Sequence, residues 1–236
     1  MNISKLHSSP NPRQQGGRGF SMRVLDLFSG LGGWSAAFVE RGHEVVTVDM
    51  EERFKPTFVR DMNDVEDLKE FGTFDVILAS PPCNCFSIAA VYRHWDKNTG
   101  LPKDIKTYDA VKLTIHTIQL IELANPKFYI IENPRGMMRK VLGTPALTTT
   151  FAAWQSEKER IETIKAFHDK RKPALKPTDL WGRLPPSFKN QQPTEWASAP
   201  RGSSLGTQGL KDSAMRAKIP YGLSLAMCEA AERDLA

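Results

Sequence analysis

No run of apolar residues in this chain reaches the ~18–20 needed to cross a bilayer as a helix, so a soluble protein with no membrane partner is expected. The N-terminal segment lacks the apolar core of a secretory leader. Cysteine is scarce: of three, Cys83 and Cys85 lie one residue apart and Cys228 is far away. Such a set cannot build the disulfide framework of a secreted domain, and a reducing, cytoplasmic setting follows. Nor does it offer zinc-ligand spacing together with five scattered histidines, so no metal is expected. Repeats are absent, and the ordinary composition excludes collagen, coiled coil and wholesale disorder.

What is present is enough for one good-sized core: 236 residues, 40% of them hydrophobic. The net charge of +5 is unevenly spread. Residues 1–136 carry 16 basic and 17 acidic side chains, whereas 137–236 carry 16 and 10. Lys165, Lys170, Arg171, Lys172, Lys176, Arg183 and Lys189 crowd one stretch of the latter. One-sided basicity fits a polyanion such as nucleic acid, and equally a solvated lysine-rich face.

Residues 1–21 are rich in Ser, Pro, Gly, Gln and Asn, with only Lys5, Arg13 and Arg18 charged, and are expected to be disordered. From Arg23 onward strands and helices alternate. Strands are expected at 24–28, 44–48, 57–60, 74–79 and 127–131, with helices through about Glu40, over 64–70 and over 108–123. The strands are apolar throughout, which calls for a parallel sheet covered on both faces. Asp49, Asp61 and Glu132 fall where strands end, at the edge where open α/β sheets bind ligands. Beyond Arg139 the pattern weakens. A strand within 146–154, a charged helix over 155–170 with Ile161, Ile164 and Phe167 on one side, an irregular 171–212 and a final helix over 220–235 complete the reading.

After the first strand comes Phe28-Ser29-Gly30-Leu31-Gly32-Gly33, a turn that lets a ligand approach backbone N–H groups without Cβ obstruction. It is not the G-x-G-x-x-G of dinucleotide sites. Asp26 before the turn, Asp49 after the second strand and Asp61-Met62 after the third supply acceptors for an amine, a ribose and an adenine amino group. S-adenosylmethionine has those three groups and no pyrophosphate. A purely structural tight turn is the alternative.

The most informative stretch is Ser80-Pro81-Pro82-Cys83-Asn84-Cys85-Phe86-Ser87. Two prolines lock φ directly after a strand, so Cys83 is held at the sheet edge. Enzymes that methylate exocyclic amines place an aromatic residue after Pro-Pro to stack on the base; a cysteine instead can attack carbon. Thiolate addition at carbon 6 of cytosine makes carbon 5 nucleophilic. A protonated carboxyl is suited to stabilise charge at N3, and Glu132, ending an apolar strand, is the candidate. Cys85 reads as a packing residue.

These motifs, in order, resemble the cytosine-C5 DNA methyltransferase family. The resemblance rests on Asp26-Leu27-Phe28-Ser29-Gly30-Leu31-Gly32-Gly33, Ser80-Pro81-Pro82-Cys83 with Phe86-Ser87, and Ile131-Glu132-Asn133. It covers about 23–139, and Ile219-Pro220-Tyr221-Gly222-Leu223-Ser224 is similar to the family's closing cofactor motif. With Glu-Asn-Pro and Lys176-Pro177-Thr178-Asp179-Leu180-Trp181, the chain is most similar to short phage and prophage members. The resemblance implies a Rossmann-like, mostly parallel seven-stranded S-adenosylmethionine-dependent methyltransferase fold, Cys83 as nucleophile, and Glu132 contacting the flipped-out target base. It implies a cofactor pocket drawn from Asp26, Phe28, Ser29, Gly30, Gly32, Gly33, Asp49, Met50, Asp61, Met62, Pro82 and Ser224, and a lid over DNA at 84–106 with Arg93, Lys97, Lys103 and Lys106.

Three departures accompany it. The family's Gln-x-Arg-x-Arg segment is missing, and either Arg171 or Arg201 would have to replace its arginine; Arg171 is taken as the third catalytic residue. Leu223 stands where Asn is usual. The late target-recognition domain is reduced to 182–214, which predicts a short recognition site. The resulting division is a disordered 1–21, a catalytic core over 22–140, a reduced recognition region with part of the core sheet over 141–213, and a C-terminal helix over 214–236. The expected activity is S-adenosylmethionine-dependent methylation of cytosine carbon 5 in double-stranded DNA by a monomer, with restriction protection, phage self-marking and regulation all open as its role. The alternatives are a transfer-RNA-directed enzyme of the same chemistry and an inactive DNA- or cofactor-binding module.

Overall fold

The strands of the computed structural model form one sheet in the order β3-β2-β1-β4-β5-β7-β6. Residues 20–88, 91–166, 175–194 and 213–236 are described. The elements in chain order are β1 (Arg23–Leu27), α1 (Ala36–Glu40), β2 (Glu44–Asp49), β3 (Phe58–Val59), β4 (Val76–Ala79), α2 (Val91–His94) and α3 (Ile105–Ala124). They continue with β5 (Phe128–Pro134), α4 (Met138–Leu142), β6 (Leu147–Thr150), α5 (Glu157–Ala166), β7 (Pro177–Arg183), α6 (Ser213–Ala217) and α7 (Tyr221–Leu235). The first five strands of that order are parallel, and β7 runs antiparallel to both β5 and β6. The expected mostly parallel, seven-stranded Rossmann-like sheet is the observed one.

Strand periodicity sorts the apolar side chains onto two faces. Val24, Val76, Leu78, Phe128, Ile130 and Leu180 pack with Phe38 of α1 and Leu223 and Met227 of α7. Leu25, Leu27, Ile77, Ala79, Ile131 and Trp181 pack on the other side with Leu120 and Ile121 of α3. Both faces are therefore covered, as continuous apolar strands require. Among the described residues no helix is long and apolar enough to cross a membrane.

Several boundaries differ from the expectation, each for a local reason. The helix expected over 64–70 is instead two 3₁₀ turns, Met62–Asp64 and Leu68–Phe71. Asp61 and Asp67 each accept the backbone N–H two residues on, which favours short capped turns over a continuous helix. Helix α3 starts earlier than expected because Asp104 caps it, accepting the Thr107 N–H at 2.8 Å. The strand expected within 146–154 stops at Thr150 and gives way to a 3₁₀ turn, Phe151–Ala153.

The largest correction is β7. Residues 171–212 read as irregular, yet 177–183 is a buried strand inserted between β5 and β6. Arg139 fastens it, with Nε donating to the fully buried Asp179 Oδ2 at 2.6 Å. Helix α5 is described to Ala166 with Ile161 exposed, and Phe167 lies outside the described residues. So do residues 1–19, where disorder was expected, and both Arg171 and Arg201.

Candidate active site

The glycine turn is built by three consecutive changes of hand. Phe28 (φ 58°), Gly30 (φ 49°) and Gly32 (φ 67°) all adopt left-handed backbone, which suits glycine and costs Phe28 strain. The Ser29 N–H donates to the Val48 carbonyl at 3.2 Å and the Gly32 N–H to that of Ser29 at 2.8 Å. Open space surrounds the position a Gly30 Cβ would take. Gly33 is the opposite case: a Cβ there would lie 2.6 Å from the Ile219 nitrogen, so only glycine lets the turn dock on the closing motif.

Beneath the turn, Asp49 ends β2 with both carboxylate oxygens engaged by backbone. Oδ2 accepts the Gly30 N–H and Oδ1 the Glu51 N–H, each at 2.8 Å. Asp61 Oδ1 accepts from the Asn63 backbone and side-chain amides at 2.9 Å. These residues border a cleft of about 160 Å³ lined by Phe28, Asp49, Met50, Arg60, Asp61, Met62, Asn63, Pro82 and Leu113. It brings together six residues expected at the cofactor and adds Arg60, Asn63 and Leu113. Asn63 was within reach of the sequence, one position past Asp61-Met62; Leu113 arrives on α3 and gave no signal.

The other expected cofactor residues lie elsewhere. Ser29, Gly30, Gly32 and Gly33 form the turn and are not among the cleft's lining residues. Asp26 sits inside β1, not at its end, and is 1% exposed. Its Oδ2 accepts the Ser35 hydroxyl at 2.7 Å, Oδ1 has no hydrogen-bond partner, and burial pushes the carboxyl up to about 7. Ser224 is fully buried in α7, where its hydroxyl accepts the Ala37 N–H at 3.1 Å and donates to the Trp34 carbonyl. Its hydroxyl seats α1, and Ser224 is not among the cleft's lining residues.

Cys83 is half-buried just beyond Pro82 and, like Cys85 and Cys228, forms no disulfide. Its carbonyl accepts the Phe86 and Ser87 N–H groups at 3.0 and 3.1 Å, closing a tight turn. Phe86 and Cys85 anchor that turn in the core, and the Cys85 carbonyl accepts the Trp95 indole N–H at 2.6 Å. The turn docks on the chain after β5. The Met137 N–H donates to the Phe86 carbonyl at 2.7 Å, and the Gly136 Cβ position lies 2.1 Å from that oxygen. From the neighbouring strand, the Asn133 side-chain amide donates to the Pro81 carbonyl at 2.9 Å. The segment 84–106 is ordered around α2 in its described part, with Tyr92 exposed and Lys97 Nζ 4.2 Å from its ring centroid.

Glu132 lies inside β5 and is 5% exposed. The Trp34 indole donates to Ser80 Oγ at 3.0 Å, and Ser80 Oγ donates to Glu132 Oε2 at 3.3 Å. The Thr178 hydroxyl, from β7, bonds Oε1. Burial raises the Glu132 carboxyl above its ordinary value, while Lys176 and the two hydroxyls pull it back. Sequence reasoning missed Ser80 and Thr178 as partners of this group, and Trp34 as the donor behind Ser80.

One trio among the described residues, His43, Cys228 and Glu232, holds ligand-type atoms within 4.8 Å of one another. Its wiring is that of a hydrogen-bond cluster. His43 Nδ1 accepts the Met22 N–H at 3.2 Å, which leaves the ring proton on Nε2 facing Glu232 at 3.0 Å. Arg41 holds Glu232 as well, and burial pushes the Cys228 thiol up to about 12.

A motif-bearing core of this geometry has relatives. Residues 22–156 match the family model of the C-5 cytosine-specific DNA methylases. The chain belongs to that family. It is 33% identical over 126 residues to a probable DNA (cytosine-5)-methyltransferase of Frog virus 3, a match covering 51% of this chain and 58% of that protein. The type II methyltransferase M.FnuDI of Fusobacterium nucleatum is 27% identical over 130 residues, covering 50% of this chain and 34% of that one. The orphan methyltransferase M.SPRI of Bacillus phage SPR is 23% identical over 130 residues, covering 50% and 27%. The chain thus spans less than two thirds of these C-5 cytosine methylase relatives. Within the matched region fall the glycine turn, the Cys83 loop and Glu132; β7, which bears Thr178, lies beyond it.

Proposed function

We propose that the protein methylates carbon 5 of cytosine in double-stranded DNA, using S-adenosylmethionine and Cys83 as the covalent nucleophile. One observation carries this reading. A thiol fixed by Pro81-Pro82 and a buried Glu132 whose carboxyl burial raises are borne on adjacent strands, joined through Ser80 and the Asn133–Pro81 bond. A carboxyl whose burial favours the protonated form is suited to donate to N3 of the base. That donation is what the Cys83 sulfur needs in order to add to carbon 6, because the ring then carries no full negative charge.

The residues present fit the cofactor. Apolar walls from Phe28, Met50, Met62, Pro82 and Leu113 suit an adenine ring, Asp49 and Asp61 supply acceptors, and the open space at Gly30 leaves room beside its backbone. When bound, S-adenosylmethionine supplies an electrophilic methyl group. Asp49 would hold the ribose, its carboxylate already oriented by two backbone N–H groups. Cys83 lies just after Pro82 of the cleft wall, so nucleophile and cofactor are held by one rigid turn.

The target base must leave the duplex, since a thiol cannot reach carbon 6 within the stack. Lys97, Lys103 and Arg93 around α2 support the reading of 84–106 as the segment that closes over DNA. The basic excess of 137–236 supports DNA contact there, with a short site in keeping with the small region left after β7. Bisulfite sequencing of DNA from cells producing the protein tests activity and site together. Protected cytosines at one short motif are expected with the wild type and none with Cys83→Ala; protection undiminished in that variant would overturn the covalent mechanism.

A further inference from the structure

The family's Gln-x-Arg-x-Arg segment is absent from the sequence, yet the strand that holds Glu132 from its far side is present as β7. Antiparallel register pairs Pro134 with Thr178 and Glu132 with Leu180, so Thr178 is the diagonal neighbour of Glu132 on one sheet face. Thr178 is fully buried, and its hydroxyl meets Glu132 Oε1 and, at 2.9 Å, the Asn133 carbonyl. Lys176, the residue just before β7, holds left-handed backbone (φ 37°) with Nζ 3.9 Å from the Phe151 ring centroid. The ring contact holds that cation in place, and its charge favours the ionised form of Glu132.

We propose that Thr178, with Lys176 behind it, is the positioning pair for Glu132 in this chain. The inference rests on the proposed function for its catalytic meaning. A threonine hydroxyl suits a carboxyl that cycles through two protonation states. Toward the ionised group it donates; toward the protonated group it accepts from Oε1 and turns its own hydrogen to the Asn133 carbonyl. On the opposite side the indole of Trp34 is donor only, so Ser80 must pass its hydrogen to Oε2. The carboxyl is thus clamped at both oxygens in either state. An arginine in place of Thr178 would favour the ionised form alone.

The charged groups facing Glu132 are Lys176, which favours its ionised form, and Asp179, which opposes it and is itself paired with Arg139. Thr178 holds both forms but the ionised one more strongly, and Lys176 also favours the ionised one, so removing Thr178 or Lys176 raises the pH at which Glu132 ionises. The readout is the Glu132 carboxyl-carbon resonance in the isolated full chain, assigned by its loss in Glu132→Gln and followed against pH. Thr178→Val and Lys176→Met are each expected to move its midpoint up by about one pH unit, and Thr178→Ser to restore it. In methyl transfer to duplex DNA the same two variants are expected to lose about tenfold in kcat, with KM for DNA unchanged and the alkaline limb of the rate profile displaced upward. Should Thr178→Val fail to fold, the half-buried Lys176→Met carries the test. An unmoved midpoint in both variants overturns the proposal, and so does a larger shift in Arg171→Ala than in either. A moved midpoint in a wild-type protein that methylates nothing would sustain the pair and defeat the proposed function.

Discussion

The two halves of the sheet edge hold their carboxylates by different means. On the β1–β3 side, Asp49 and Asp61 each accept the backbone N–H two residues on in the chain, and Asp49 also that of Gly30, 19 residues earlier in the turn after the paired strand β1. On the β4–β5–β7 side, Glu132 is held by side-chain hydroxyls of Ser80 and Thr178, 52 and 46 residues away. In the proposed function, backbone donors fix an acceptor that would serve one unchanging task, binding. Hydroxyls, which can donate or accept, serve a group that must gain and lose a proton. Local turn geometry builds the first kind of site; only tertiary assembly builds the second.

The contrast breaks most visibly at Glu132. Glu132→Gln, which keeps shape and removes the acid, is expected to lower kcat about 10²–10⁴-fold while cofactor affinity by calorimetry stays at the wild-type value. A matching loss of affinity would mean the two halves do not divide the work.

Asp26 sharpens the comparison from the binding side through pH. Its carboxyl titrates near 3.8 when unfolded and is raised to about 7 in the native protein. The native state therefore holds a proton that the unfolded chain has lost. This contribution is fully present below about pH 4 and disappears as pH rises to about 7. Relative to Asp26→Asn, the wild type is expected to lose at most about 4 kcal/mol of stability across that window. Denaturant melts of both proteins at several pH values measure it; parallel curves would refute it.

For Asp49→Ala the expected loss is about 10–100-fold in cofactor affinity, the value of hydrogen bonds to a charged group, with kcat at saturation nearly kept. The smallest effects come from two glycines that let segments touch. Gly136→Ala pushes on the Phe86 carbonyl and so on the Cys83 turn, whereas Gly33→Ala pushes on Ile219. Each is expected to cost about 1–3 kcal/mol in thermal or chemical unfolding. The first should lower kcat and the second cofactor affinity.

What could be read from the sequence follows the same divide. The glycine turn, Asp49, Asp61-Met62 and the Pro-Pro-Cys loop are compact in sequence because their geometry is made by neighbouring backbone. The strands β1 to β5 fall where expected to within one to three residues, the longest difference being β5, which runs on through Glu132 to Pro134. β7 escaped because Pro177 and Gly182 punctuate it and Thr178-Asp179 interrupts its apolar run, each a mark against a central strand. Its place was decided by partners out of sight: Arg139 for Asp179, and Glu132 for Thr178. Ser224 was drawn to the cofactor by its motif, yet its hydroxyl seats α1 against α7. A motif records that a residue matters, while its contacts decide for what.

The claim on which the rest depends is that Cys83 adds to carbon 6 of a cytosine. Duplex DNA substituted throughout with 5-fluorocytosine blocks release of the base once methyl transfer has occurred. Incubated with the protein and S-adenosylmethionine, it is expected to yield a denaturant-stable complex whose crosslinked peptide contains Cys83. No complex with DNA binding intact, or an equal yield from Cys83→Ala, would contradict it.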